Sequence, residues 1–342
     1  MKLCVMNLAS SYSHIYIEEG VRNLPFTVEI LQKFPKAQIV SVEDYKQVFN
    51  RGSQSFEQQK RSPKLLLAAK KEQFIYDGSR FVQDADNPNF FYNALSLNCA
   101  YDCAYCYLQG MYSSANQVCF VNLDDYFDAT NLAIRKRPSK DYPLYLCISY
   151  DTDLLAFESV APYCREWIRF CASKEGELDV EIRTKSANFA QLSKLKPQAN
   201  VILAWSLSPD SICETYEHKT PPLRSRIKSL TEAVNKGWRV RICIDPILPI
   251  SGWQDAYFGL VEEVLQSVDA SELLDVHLGV FRMNSDFFAN VRKRRAPVDL
   301  FYRKWERKDG AITHSDVERE ELSQYVAALF SGHVDTDRIR IW

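Results

Sequence analysis

Three cysteines in one short stretch, Leu97-Asn98-Cys99-Ala100-Tyr101-Asp102-Cys103-Ala104-Tyr105-Cys106-Tyr107, carry the clearest chemistry in this chain. Their spacing is Cys-x-x-x-Cys-x-x-Cys, packed between tyrosines and placed after an apolar run, Phe91 to Leu95, that reads as a strand. Zinc prefers four closed ligands, usually as two Cys-x-x-Cys pairs or with histidines at set spacing. None of the five histidines, His14, His218, His277, His314 and His333, lies near the triplet in sequence. Three thiolates in one loop suit a four-iron cluster, in which each thiolate takes one iron and the fourth stays open to a substrate or cofactor.

Such a loop needs elements to position it. From residue 91 onward apolar runs alternate with helical segments, the pattern of βα units. The expected strands are Phe91 to Leu95, Leu144 to Ser149, Val180 to Thr184, Val201 to Leu207, Arg239 to Ile244 and Val276 to Val280. Helices are expected at Leu123 to Lys136, Val160 to Ser173, Leu223 to Lys236 and Ala256 to Ser267. Six βα repeats without a βαβ glycine fingerprint argue for an α/β chain built on an open, partial (β/α)6 barrel of the TIM type. Functional groups in such barrels collect at the carboxyl ends of the strands. The chain obeys that rule: after the cysteine triplet come Cys147-Ile148-Ser149-Tyr150-Asp151, Arg183-Thr184-Lys185, Ser206-Leu207-Ser208 and Asp245-Pro246, each at a strand end.

A smaller N-terminal α/β region is expected over 1–88, the barrel over 89–285, and a basic C-terminal hairpin with a closing helix over 286–342. In the first region His14 to Ile17 and Ala37 to Val42 read as strands around a helix at Pro25 to Lys33, and Asn50 to Lys60 reads as a loop. Ser62 to Gln73, with Lys64, Lys70 and Lys71 beside a Leu-Leu-Leu-Ala-Ala run, reads as an amphipathic helix or strand with solvated lysines. The net charge of −2 predicts no general affinity for nucleic acid, so such binding must come from a local basic patch. No apolar run approaches a membrane span, and Met1 to Asn7 turns polar too soon for a secretory segment. The chain is therefore expected to be cytoplasmic. Ten cysteines in a reducing compartment do not predict disulfides; Cys4, Cys119, Cys164, Cys171, Cys213 and Cys243 read as buried structural thiols.

The triplet, with Tyr105 directly before its last cysteine, resembles the signature of the radical S-adenosylmethionine superfamily. Finer features resemble its spore photoproduct lyase family: Cys106-Tyr107-Leu108-Gln109, Cys147-x-Ser149, Thr184-Lys185, Ser206, and Thr220-x-Pro222-Leu223-x-x-Arg226-Ile227. That resemblance implies a [4Fe-4S] cluster on Cys99, Cys103 and Cys106, with S-adenosyl-L-methionine chelated at the open iron and cleaved to a 5′-deoxyadenosyl radical. It implies repair of the ultraviolet-induced methylene-bridged thymine dimer in DNA, 5-thyminyl-5,6-dihydrothymine. Cys147 then matches the hydrogen-atom donor to the thymine radical, and Tyr107 and Tyr105 match the pair that returns the radical. Ser149, Lys185 and Ser206 match positions that contact S-adenosylmethionine. Asp245 stands where the family carries a small apolar residue, and could accept from a ribose hydroxyl.

The resemblance also implies a lesion-pressing hairpin. Val291 to Asp309 is the most basic stretch, with Arg303, Lys304, Arg307 and Lys308 as expected DNA contacts and Phe301, Tyr302 and Trp305 as stacking or wedge surfaces. Lys308 replaces the family's tyrosine, and Tyr150 intervenes before Asp151 where the family's aspartate directly follows the serine. A reducing donor such as flavodoxin or ferredoxin and a monomeric state are also expected. Two other readings stay open: a radical enzyme acting on another nucleic-acid lesion or modified nucleotide, and a non-catalytic nucleic-acid-binding protein with a structural metal.

Overall fold

The computed structural model describes residues 12–78 and 83–342; Cys4 and the Met1 to Asn7 stretch lie outside the described residues. Six parallel strands follow one another in chain order: Phe90–Tyr92, Leu144–Cys147, Leu178–Thr184, Val201–Ser206, Arg239–Ile247 and Asp275–Val280. Parallel strands covered on both faces need near-continuous apolar runs, and every residue of Leu144–Cys147, Val201–Ser206 and Asp275–Val280 is buried. Ile339–Ile341 adds a parallel strand at one edge and Tyr76–Asp77 an antiparallel one at the other. These two edges do not pair with each other, so the sheet is the expected open partial barrel. Helices Leu123–Lys136, Tyr163–Cys171, Leu223–Asn235 and Trp253–Ser267 lie between its strands. Between Ile244 and Ile247 the ladder to Asp275–Val280 slips its register. Pro246 has no N–H to give that ladder, and the irregularity leaves Asp245 and Pro246 on a cavity wall.

A second sheet has the order Gln38–Val42, His14–Glu18, Leu65–Ala68, Gln117–Phe120, Ser96–Leu97. Leu65–Ala68 is its fully buried central strand, so the Leu-Leu-Leu-Ala run is a strand. Lys64 at its start donates from Nζ to Ser13 Oγ at 2.7 Å. The stretch Asn50 to Lys60, expected as a loop, ends in a helix, Phe56–Arg61, capped by Ser55 Oγ accepting from Gln58 N. This sheet draws its last two strands from beyond residue 88. The chain leaves the barrel after Tyr92 and enters the other sheet at Ser96–Leu97, so the cysteine loop springs from the N-terminal sheet, not directly from a barrel strand.

Beyond the barrel, Arg282–Asn284, Ala311–Thr313 and Glu306–Lys308 form a three-stranded antiparallel sheet, preceded in part by helix Ser285–Arg294. Asp309 and Gly310, at φ 49° and 81°, make its tight turn, a conformation that glycine accepts without strain. Helix Asp316–Phe330 then packs against Asp275–Val280. Among the described residues no helix is long and apolar enough to cross a membrane. Cys119, Cys164, Cys171, Cys213 and Cys243 are buried free thiols.

Candidate active site

The loop that carries the cysteines has little regular structure, so its backbone groups must find other partners. Asn98, at φ 71°, donates from Nδ2 to the carbonyls of Ser114 (2.8 Å) and Asn116 (2.7 Å). Lys60 Nζ donates to the carbonyls of Cys99 (2.9 Å) and Tyr101 (2.7 Å). Asp102–Cys103 pairs antiparallel with Glu217–His218. Gln109 Nε2 donates to the Cys103 carbonyl at 2.5 Å, Arg295 Nε donates to Gln109 Oε1 at 2.7 Å, and the Arg295 guanidinium also pairs with Asp102. A Cβ on Gly110 would lie 2.2 Å from the Phe287 carbonyl oxygen, so helix Ser285–Arg294 rests directly on this segment's backbone.

Cys103 is buried, Cys99 and Cys106 half-buried, and none is in a disulfide. Burial pushes all three thiols up, Cys99 to about 12, while the Lys60 ammonium opposes that shift on Cys99 and Cys106, joined at Cys106 by Lys185. The Cys106 sulfur acts electrostatically on both of the others, so the three are gathered together. Among the described residues no three His, Cys, Asp or Glu side chains are drawn in around one metal ion. A cluster takes each thiolate on a different iron, and this donor set suits it.

A cavity of about 250 Å³ opens beside the loop. Cys103, Tyr105, Cys106 and Tyr107 form one wall; Cys147, Ser149 and Tyr150 come from the second strand end, Arg183 and Lys185 from the third, Asp245 and Pro246 from the fifth, and Phe281, Arg282 and Met283 follow the sixth. Cys99 and Ser206 are not on its wall. Ser206 is buried, and its carbonyl accepts from Arg226 Nη1 at 3.4 Å. Ser149 Oγ accepts from the Arg183 N–H at 2.6 Å. Cys147 is 4% exposed; burial and then the Glu181 carboxylate, 3.9 Å from Sγ, push its thiol up to about 12, which keeps the S–H bond intact at neutral pH. The Tyr107 hydroxyl donates to the Tyr150 carbonyl at 2.7 Å and lies 3.4 Å from Asp151 Oδ1. The Tyr105 hydroxyl donates instead to Glu217, away from Tyr107's partners.

Glu217 was not among the residues expected from sequence. Its side chain is fully buried and meets Lys185 Nζ at 3.3 Å, Arg226 Nη2 at 2.5 Å and Ser208 Oγ at 2.9 Å. Burial alone would raise its pKa; Lys185 and Arg226 outweigh that and hold the carboxyl well below the usual range. A signal was present in Thr220-x-Pro222-Leu223-x-x-Arg226: a buried arginine requires a counter-ion, and Glu217 stands three residues before Thr220, whose Oγ1 accepts from Arg226 at 2.7 Å. Asp245 is likewise engaged. Its two oxygens accept from Arg282 at 3.2 Å each and lie near Arg183 at 3.8 Å, and these guanidiniums overcome burial to hold the carboxyl low.

The basic C-terminal stretch divides in two. Arg294 donates to the carbonyls of Gln109 and Tyr112, and Arg295 braces Asp102, so both secure the cysteine loop. Arg303 donates to the Pro249 carbonyl. Arg307 donates to Ser285 Oγ at 3.2 Å, and Lys308 to Asp316 at 2.7 and 2.8 Å. Lys304, Arg307 and Lys308 are exposed. Of the aromatics expected as wedges, Tyr302 alone is fully exposed. Phe301 is buried, and half-buried Trp305 packs on Phe281 at 4.8 Å and on His314 at 4.5 Å, because the small hairpin sheet needs an apolar underside.

An open α/β half-barrel in which a three-cysteine loop and several strand ends face one cavity is the architecture of a barrel enzyme. Residues 11–297 match the family model described as spore photoproduct lyase, and the chain belongs to the spore photoproduct lyase family. It is 22% identical over 338 residues to a spore photoproduct lyase from Geobacillus sp. (strain Y412MC61), covering 92% of this chain and 95% of that protein. A spore photoproduct lyase from Clostridium acetobutylicum is 24% identical over 176 residues, 51% of this chain and 52% of the relative. Among solved structures, spore photoproduct lyase complexed with dinucleoside spore photoproduct superposes with TM-score 0.82 at 18% identity, covering 96% of this chain and 98% of the other. A variant with bound AdoMet and dinucleoside spore photoproduct gives TM-score 0.81 at 18% identity over the same shares. These structures share its fold.

Proposed function

We propose that this chain is a radical S-adenosylmethionine lyase that returns the methylene-bridged thymine dimer of DNA to two thymines. The observation that carries the reading is the single cavity on which two of the triplet cysteines, Cys147 and Tyr107 meet, in a chain of this family. Cys99, Cys103 and Cys106 would hold the [4Fe-4S] cluster, and Ser149, Lys185 and Asp245 on the cavity wall would hold the S-adenosylmethionine, with Ser206 buried behind that wall at the end of its strand. Together these groups supply a 5′-deoxyadenosyl radical when bound. The chain's own residues do the rest. Lys185, anchored on Glu217, presents its ammonium to a carboxylate. Cys147, held protonated by burial, gives the hydrogen atom on Sγ to the thymine radical left when the bridge breaks. Tyr107, on the same cavity, restores that hydrogen to Sγ, and Tyr105 beside it passes the radical back. Arg303, Lys304, Arg307 and Lys308 meet DNA phosphates at the mouth, and a poorly stacked lesion is cheaper to extrude than intact bases. The electron comes from a donor of the flavodoxin or ferredoxin kind, and the chain works as a cytoplasmic monomer.

Reduced, cluster-loaded protein incubated anaerobically with synthetic dinucleotide spore photoproduct and S-adenosylmethionine is expected to release thymine from the dimer. Stoichiometric zinc with no reducible cluster, or cleavage of S-adenosylmethionine with the lesion left intact, would overturn the reading. In Cys147→Ala the bridge is expected to break while the thymine radical is diverted to by-products, seen by chromatography of the reaction.

A further inference from the structure

Four tyrosines form a column that the proposed chemistry does not use beyond its first member. Tyr107 and Tyr150 border the cavity, with ring centroids 6.0 Å apart. Tyr150 stacks on Tyr92 at 4.1 Å and 24°, and Tyr92 stacks on Tyr76 at 5.1 Å and 17°. Strand register builds the column. Tyr76 and Tyr92 are partners across the antiparallel edge of the barrel sheet, and Tyr92 is the ladder partner of Cys147, three residues before Tyr150.

Packing alone does not call for this composition. Phenylalanine, with 19 copies against 18 tyrosines, fills half-buried stacks as well, yet every ring here carries a phenol, the group that forms a persistent neutral radical. At the inner end, Asp151 faces the hydroxyls of Tyr107 at 3.4 Å and Tyr112 at 3.1 Å, a buried carboxylate placed to take and return a phenolic proton. At the outer end Tyr76 lies on the two-residue edge strand, half-buried, with Lys70 Nζ 5.4 Å from its ring centroid. Lys70 and Lys71, with Arg135, border an open groove of about 690 Å³ that also carries Asp125 and Asp128; Lys70, over the Tyr76 ring, is the cation that meets a small anion at the end of the column.

We infer that the column from Tyr107 through Tyr150 and Tyr92 to Tyr76 is a discharge path, which carries a radical stranded in the cavity to the surface for reduction by an anionic low-molecular-weight thiol. The inference rests on the radical chemistry proposed above. Its occasion is a turnover in which 5′-deoxyadenosine escapes before it gives its hydrogen back, leaving Tyr107 as a phenoxyl radical. Each step is an exchange: the phenoxyl takes an electron and a proton from the next phenol and becomes a phenol, and the neighbour becomes the phenoxyl. At Tyr76 the thiol gives its hydrogen atom, and two thiyl radicals combine to a disulfide. Two stranded radicals thus consume two thiols and yield two intact tyrosines and one disulfide.

The test uses Tyr92→Phe, which keeps the stacked ring and removes the phenol, with Tyr76→Phe as a second break further out. Full-length, cluster-loaded protein is run to exhaustion on the dinucleotide lesion with and without glutathione. Wild type is expected to survive several-fold more turnovers with glutathione. Both variants should start at the wild-type rate, show no glutathione protection, and hold a longer-lived tyrosyl signal in freeze-quenched electron paramagnetic resonance. A second measurement reads the column apart from the repair reaction. Full-length protein without cluster or S-adenosylmethionine is flash-oxidised by tris(bipyridine)ruthenium(III), and loss of the Cys147 thiol is followed by peptide mass spectrometry. Tyr92→Phe should cut that loss several-fold. If the repair reading fails, this flash result still stands or falls by itself. Equal glutathione protection or equal Cys147 oxidation in Tyr92→Phe and wild type, or a slowed initial repair rate in that variant, would overturn the discharge path.

Discussion

The cysteine loop and the C-terminal hairpin are both short, and the fold treats them in opposite ways. In the loop, Lys60 and Arg295 from distant parts of the chain and Gln109 from the next turn take up backbone carbonyls and Asp102, and Glu217 gathers Tyr105, Lys185 and Arg226 in a buried cluster. In the hairpin, Glu306, Arg307 and Lys308 are all exposed, and Lys308 rests on the equally exposed Asp316. A buried ion is held in one geometry because misplacing it leaves an uncompensated charge, whereas an exposed pair in water is worth little and can change partner. Under the proposed function, the contrast separates a part that holds sulfur and phenol groups in place from a part left free to adapt to a nucleic-acid backbone.

The harshest way to break the comparison is Cys103→Ala. Reconstituted protein is expected to lose its four-iron absorbance and form no 5′-deoxyadenosine above background, whereas no single hairpin substitution should do so. Next comes Glu217→Gln, which leaves the ammonium of Lys185 and the guanidinium of Arg226 buried against a neutral amide. It should cost about 3–5 kcal/mol in chemical denaturation at pH 7.

Acid should sharpen the same contrast. Burial and the Arg183 and Arg241 guanidiniums act against each other on Glu181 and the cations win, bringing its pKa from 4.5 down to about 2; Glu217 moves in the same direction. A carboxyl lowered on folding contributes stability that is complete above its unfolded pKa and lost as pH falls toward the folded one. The part of the stability that Glu181 and Glu217 supply should therefore be constant above pH 4.5 and fall between there and about pH 2, so the denaturation midpoints of wild type and Glu217→Gln should converge across that window. Smallest is Lys308→Ala. Its exposed pair with Asp316 is worth less than about 1 kcal/mol, so the melting temperature should barely move. Affinity for a lesion-bearing oligonucleotide should weaken, and the slope of log affinity against log salt should shrink by about one. A large stability loss there, or an unchanged salt slope, would break the contrast.

Much of the frame was legible before folding. The six barrel strands and the helix Leu123–Lys136 stand where their apolar runs and helical periodicity placed them. So do Cys147, Ser149, Lys185 and Asp245, because strand ends in an open barrel converge on one side. Less legible was the fate of the basic stretch. Arg294 and Arg295 lie inside the basic stretch Val291 to Asp309, yet both point back to the cysteine loop. Trp305 and Phe301 were expected to face a ligand, and they lie under the hairpin, because a small sheet buries its largest rings first.

By itself, then, the sequence determined the cysteine triplet, the strand and helix succession and the identities at the strand ends, all of them local properties carried by spacing and periodicity. Tertiary structure alone decided which charges answer each other. Arg295 meets Asp102 across 193 residues and Lys60 meets Tyr101 across 41. Glu217 becomes the counter-ion of Lys185, Asp245 that of Arg282, and four tyrosines from four separate segments become one column. The physical reason is that a buried charge or a stacked ring is specified by what surrounds it in space, and no period along the chain records a neighbour that arrives from elsewhere.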